Sequence, residues 1–317
     1  MVFLLPLLLP LLPTCLTSPT DDWLPTSTPG VLDFASNPIL RPTELGEWIL
    51  GDPSVLRIGE HLHMFCNEVV HGILHFTASP SSPTSFTRAG SAVALPGAVR
   101  PYALLEEDTL HLYYEQYELP LFHTSKLMLR SASVSISSSG EATFVWRPSQ
   151  TILRPELSWE REGYARVGNP FVFHSPEFGD YRMYYSASSL HLADSNIEEP
   201  LYLGLASAPA ASGPWSRLSS SPLTIEGEIE GQEVLTTSSL KLVKSASDLQ
   251  AGPFALCNRI TLEPLSKRTG STISLLLPSR DGLGWQVRIP ATATKFGVSD
   301  PHHQLVLAGG RSRAPSS

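Results

Sequence analysis

The feature that most constrains this chain is a hairpin unit that recurs along it, opened by a polar residue and a proline. The unit reads "GDPSVLRIGEHLHMFCNE" at 51–68, "VRPYALLEEDTLHLYYEQ" at 99–116 and "GNPFVFHSPEFGDYRMYYSA" at 168–187. It returns without its proline as "TSSLKLVKSASDLQAGPFALCNR" at 237–259, and in shortened form as "SDPHHQLVLAGGRS" at 299–312. Each full copy is a short apolar run, a polar turn and a second apolar run, the pattern of a β-hairpin. Aligning Pro53, Pro101, Pro170, Ser239 and Pro301 superposes the units on a loose period. A second half repeats as well. "LHFTASPSSPTSF" (74–86), "LGLASAPAASGPW" (203–215) and "ISLLLPSRDGLGW" (273–285) each end a strand, turn, and present an aromatic: Phe86, Trp215 and Trp285. A longer equivalent reaches Trp146.

Two hairpins per unit make a four-stranded antiparallel sheet, and radial packing of such sheets makes a β-propeller. The expectation is therefore an all-β chain, a single five-bladed β-propeller of four-stranded antiparallel blades over residues 30–312. A β-sandwich whose hairpins resemble one another by chance is the alternative. The 28 prolines suit turns and would break helices. The segments 155–164 and 217–236 read as connections between blades.

Composition narrows the class of function. Charged residues make up 16% of the 317, against roughly 25% in an ordinary soluble domain. The net charge is −8 and there is no Lys/Arg block, which argues against a nucleic-acid partner. The opening "MVFLLPLLLPLLPTCLTSP" has the apolar run of a secretory signal over residues 1–20, so the expected destination is secreted or lumenal. An over-extended start of translation is the alternative. No later apolar run approaches the length of a membrane span. The tail 313–317 reads as disordered, and the protein as a monomer. Of three cysteines, Cys15 falls in the signal, and Cys66 and Cys257 read as buried thiols or as one bridge. No zinc or phosphate-loop spacing occurs.

The ordered blade openings carry a family resemblance. "DPSV…GEHLHMF", "RPYALLEEDTLHLYYE", "NPFVF…GDYRMYYSAS" and the following "GPW" resemble the five-bladed propellers of glycoside hydrolase family 43 and its relatives, the arabinanases, β-xylosidases, levansucrases and invertases. The likeness spans roughly residues 37 to 310. It implies a carbohydrate substrate, and hydrolysis by inversion between two carboxyl groups about 6.5–9.5 Å apart. In that resemblance Asp52 takes the place of the general base. Asn169 stands where the family has an aspartate that orients the acid, and Glu233 is the first candidate acid, followed by Glu230 and Glu228.

In a propeller the first strand of each blade lines a central channel, and the strand beginnings converge at one mouth; Arg100 and Asp300 take such mouth positions, and Arg166 precedes one. Glu115 is a substitute acid or an acceptor for sugar hydroxyls. Tyr102 is a flat surface for a sugar ring, with Tyr164 and Phe171, and Asn258 is a further polar contact. No cofactor is expected; a metal near His302 is a minor alternative. For every one of these residues a structural role stays open: turn capping for Asp52, a salt bridge for Arg100, core packing for the aromatics. The alternatives to a hydrolase are a glycan-binding propeller without catalysis and a structural or protein-interaction propeller.

Overall fold

In a computed structural model, the described residues are 39–40 and 50–223, apart from short gaps at 69, 119–122, 177 and 193–196. Beyond 223 the backbone strands within 225–290 are described. The chain is all-β. The first sheet runs β1 (Leu50–Ile58), β2 (His61–Glu68), β3 (Gly72–Ala78) and β4 (Thr87–Arg88), each antiparallel to the next. The second follows as β5 (Ala98–Glu106), β6 (Thr109–Tyr117), β7 (Ser125–Ile136) and β8 (Ala142–Trp146), with β9 (Gln150–Leu153) also pairing β7.

A 3-10 turn at Ser158–Arg161 lies in the connection to the third sheet. That sheet contains β10 (Val167–Ser175), β11 (Asp180–Ala187), β14 (Tyr202–Ala208) and β15 (Ser216–Arg217). A small hairpin, β12 (Leu190–Leu192) and β13 (Ile197–Glu199), is inserted after β11. The fourth sheet is β17 (Glu233–Val243), β18 (Phe254–Leu262), β19 (Thr269–Pro278) and β20 (Trp285–Pro290), with β16 (Ile225–Glu226) parallel to β20 at its outer edge.

Each sheet is therefore the expected double hairpin, and the first strands β1, β5, β10 and β17 adjoin one another in turn. This is β-propeller architecture. The expected fifth unit at 299–312, with Asp300 and His302, and the signal at 1–20 lie outside the described residues. The 155–164 connection is observed as expected. The expected 217–236 connection is shorter than the sequence indicated: the end of β15, all of β16 and the start of β17 fall inside it.

The middle strands of the first three sheets are buried on both faces, which explains their near-continuous apolar runs. Along β6, Leu110, Leu112 and Tyr114 pack with Phe65, Ile73 and Ala103 between the first and second sheets. Tyr113, pointing the other way, packs with Val172, Met183 and Trp215 between the second and third. The terminal aromatics Trp146 and Trp215 join these two cores, and Phe86 joins the smaller one around Met64, Cys66, Leu74 and Phe76. Polar ties pin neighbouring sheets at fixed height. Ser54 Oγ accepts the Ala103 amide at 3.0 Å, and the Ser125 hydroxyl donates to Val167 O at 3.3 Å.

Candidate functional site

The site is built on one backbone irregularity repeated in successive sheets. In β1 the pairing with β2 skips from Gly51 to Ser54, leaving Asp52 and Pro53 without register partners. In β5 it skips from Val99 to Tyr102, leaving Arg100 and Pro101. In β10 it skips from Gly168 to Phe171, leaving Asn169 and Pro170. Asp52, Arg100 and Asn169 have φ of 49°, 53° and 48°. These are left-handed values that non-glycine residues adopt rarely. Each is followed by proline, which cannot donate to a ladder and so suits a bulge. The three polar residues occupy one slot in three blades.

The fourth sheet has the same skip, from Ser238 to Lys241. It places Ser239, not Ser238, in the slot, with Leu240 at the proline position. The sequence alignment on prolines set Ser239 one position late, because no proline marks the bulge there. The residues facing each skip form a second tier: Asn67, Glu115, Ser186 and Asn258. Sequence reasoning found Glu115 and Asn258 and missed Asn67 and Ser186. The signal was present in "FCNE", "YYEQ", "YYSA" and "LCNR", where one polar residue closes each apolar second strand.

Glu115 and two arginines form the ionic centre of this site. Glu115 is 1% exposed, and its Oε2 accepts Arg100 Nη1 at 2.9 Å. Its Oε1 accepts Arg166 Nε and Nη2 at 3.3 and 3.1 Å. Arg100 Nη1 also donates to the Tyr117 hydroxyl at 3.2 Å, and the Arg166 guanidinium lies 5.0 Å from the Tyr117 ring centre. The Arg100 amide donates to Asn67 Oδ1 at 3.2 Å, tying the second slot to the first sheet. A side chain on Gly168 would fall on the Glu115 carboxylate, so glycine is required beside the third slot. Asn169 Nδ2 reaches Ser186 Oγ at 3.4 Å.

The electrostatics follow from these contacts. Burial works to raise the Glu115 pKa, but Arg166 and Arg100 outweigh it and hold the carboxyl below the usual range. Burial likewise opposes the Arg100 charge. Tyr117, Glu115 and Asp52 overcome it and hold the guanidinium well above its ordinary value. Asp52 is thus within electrostatic reach of Arg100. A carboxylate held ionised by two guanidinium groups is a poor proton donor, so the acid role considered for Glu115 does not suit this geometry.

The structure brings Asp52, Arg100, Glu115, Arg166 and Asn169 together. Asn258 joins them by register. Tyr102 is packed between the second and third sheets, edge-on to Phe171 at 4.9 Å, and burial pushes its hydroxyl up to about 12. Glu233 opens β17 six residues before Ser239, about 20 Å of extended strand from the slot. Tyr164 stacks on His123 at 4.6 Å, two residues before Arg166. Glu228, Glu230, Asp300 and His302 lie outside the described residues. Among the described residues, no three His, Cys, Asp or Glu side chains converge as a metal site, and no helix is long and apolar enough to cross a membrane.

No protein-family model and no curated protein sequence matches the chain. Solved structures do. The chain is similar to an endo-1,4-β-xylanase from Bacteroides thetaiotaomicron, with a TM-score of 0.51, 15% identity, and coverage of 76% of this chain and 79% of that one. A Bombyx mori β-fructofuranosidase gives a TM-score of 0.48 at 14% identity, covering 75% of this chain and 48% of that one. A family 117 glycoside hydrolase from Zobellia galactanivorans gives 0.45 at 14% identity, covering 79% and 70%. At such identities the shared property is the fold, and the xylanase similarity is the one that carries it.

Proposed function

We propose that this chain is a glycoside hydrolase that binds carbohydrate at the propeller mouth and uses Asp52 to activate water. The observation that carries this reading is the common backbone slot of Asp52, Arg100 and Asn169, strained in the same way in three sheets. Strain of this kind costs about 1–3 kcal/mol per residue and clusters at functional sites. The shared fold with a xylanase, and the resemblance of the blade openings to family 43, support a sugar as the ligand.

Inversion needs a second carboxyl across the scissile bond. Glu115 is bound to its arginines and Glu233 stands about 20 Å along β17 from its slot, which leaves Glu228 and Glu230, in the segment before β17, as the candidate acids. Asn169 orients by hydrogen bonding without adding charge. The test is a panel of chromogenic glycosides with wild-type protein and Asp52→Asn. Turnover that falls about 10²–10⁴-fold in the variant is the expected result; unchanged turnover removes Asp52 from the mechanism.

A second reading is a glycan-binding propeller without catalysis. It is favoured by the neutral residues Asn169 and Ser239 in two of the four slots. A glycan array separates the two: binding without turnover of any glycoside selects this reading.

A further inference from the structure

Glu115 sits where a ligand's own negative charge would be expected. Two guanidinium groups converging on one point are a common way to hold a carboxylate or sulfate. Here that point is filled from inside the protein by β6, with Arg100 approaching from β5 and Arg166 from the connection before β10. Arg166 is 4% exposed and lies against Tyr117, so it is sealed beneath the mouth. Gly168 leaves the space that the Glu115 carboxylate occupies. Asp52 places a further carboxylate within reach of Arg100. The two arginines and two carboxylates cancel, and the other slot and facing residues are Asn67, Asn169, Ser186, Ser239 and Asn258. Amides and hydroxyls of this kind match sugar hydroxyls and carry no net charge to favour an ionic group.

We propose that Glu115 is an internal anion that sets specificity. It holds the place between Arg100 and Arg166 that a substrate carboxylate or sulfate would otherwise take, so the mouth accepts uncharged glycans and refuses uronate or sulfated ones. The glycan half rests on the carbohydrate reading above; the ionic half does not.

The two halves are tested separately on the full chain. Glu115→Ala opens a cavity between the arginines, and Glu115→Gln fills it without charge. Melting temperatures are measured in sodium formate and in sodium chloride at equal ionic strength. Glu115→Ala is expected to melt about 10 °C below wild type and to recover at least half of that in formate. Wild type and Glu115→Gln are expected to be indifferent to formate. A Glu115→Ala protein that formate does not rescue overturns the internal anion.

Calorimetric titration with xylo-oligosaccharides, with and without a glucuronic acid substituent, reads the second half. Wild type should bind the neutral ligand at least about tenfold more tightly, the equivalent of one charged interaction. Glu115→Gln should narrow that ratio, and it reports even if Glu115→Ala does not fold. Equal or tighter binding of the glucuronate ligand by wild type overturns the proposal. If formate rescues Glu115→Ala while neither glycan binds wild type, the internal anion stands and the carbohydrate reading falls.

Discussion

Asp52, Arg100 and Asn169 share a backbone conformation that suits them unequally. Asp and Asn visit the left-handed region with modest strain, because a short polar side chain can bond locally. Arg gains nothing of that kind, and Arg100 is held there by Glu115, Tyr117 and the side-chain amide oxygen of Asn67. Two substitutions separate strain from contact. Arg100→Ala loses the ion pair and keeps the strain; Arg100→Gly loses the pair and releases it. Both should be less stable than wild type in urea, with Gly above Ala by about 1 kcal/mol. Ala equal to or above Gly would contradict the positive φ. At this scale the sequence was legible where proline flagged the slot. It was not legible at Ser239, where leucine follows, or at Asn67 and Ser186, which are brought opposite a slot only by strand pairing.

Strands and connections were legible where burial leaves a pattern. The middle strands read as short apolar runs because both faces are covered, and turn residues bounded them. The 217–236 segment was misread because β15 and β16 are two residues long and leave no periodic signal. The 155–164 connection is centred on one buried acid, with Trp159 and Glu162 adding further ties. Glu160 accepts the amides of Glu156 and Leu157 at 2.7 and 3.0 Å. It also accepts the Tyr185 hydroxyl at 2.9 Å, and Arg217 through Nε at 2.7 Å and Nη2 at 2.9 Å. One carboxylate thus fastens the connection to β11 and β15. Glu160→Ala should cost about 3–5 kcal/mol, seen as a lowered urea midpoint, and should expose 155–164 to limited proteolysis. A variant within 1 kcal/mol of wild type would show that the connection is held by other contacts.

For the whole molecule, the buried ionisable groups predict a two-stage loss of stability in acid. His63 and His75 are buried side by side, Nδ1 to Nε2 at 2.9 Å, against Phe65 and Phe144. Burial lowers both to about 4, assisted by the charge of His61 at His63 and of His63 at His75. The unfolded chain takes up these protons near pH 6.5 and the folded chain does not, so stability declines as pH falls from 6.5 towards 4. Glu115 and Glu160 have lowered pKa values when folded, and their contribution is lost below the ordinary carboxylate range. Urea midpoints across this interval should fall in both stages, and His75→Phe should flatten the first. A midpoint constant from pH 7 to 5 would contradict the buried pair. The propeller as a whole was legible because its unit recurs.

The mouth slot has a consequence for how such a scaffold changes its chemistry. A register skip in the backbone shapes it, so aspartate, arginine, asparagine and serine are already tolerated in the same cradle. The side chains offered there can be exchanged one socket at a time, like keys on a fixed keyboard, while the interleaved cores between blades are left as they are.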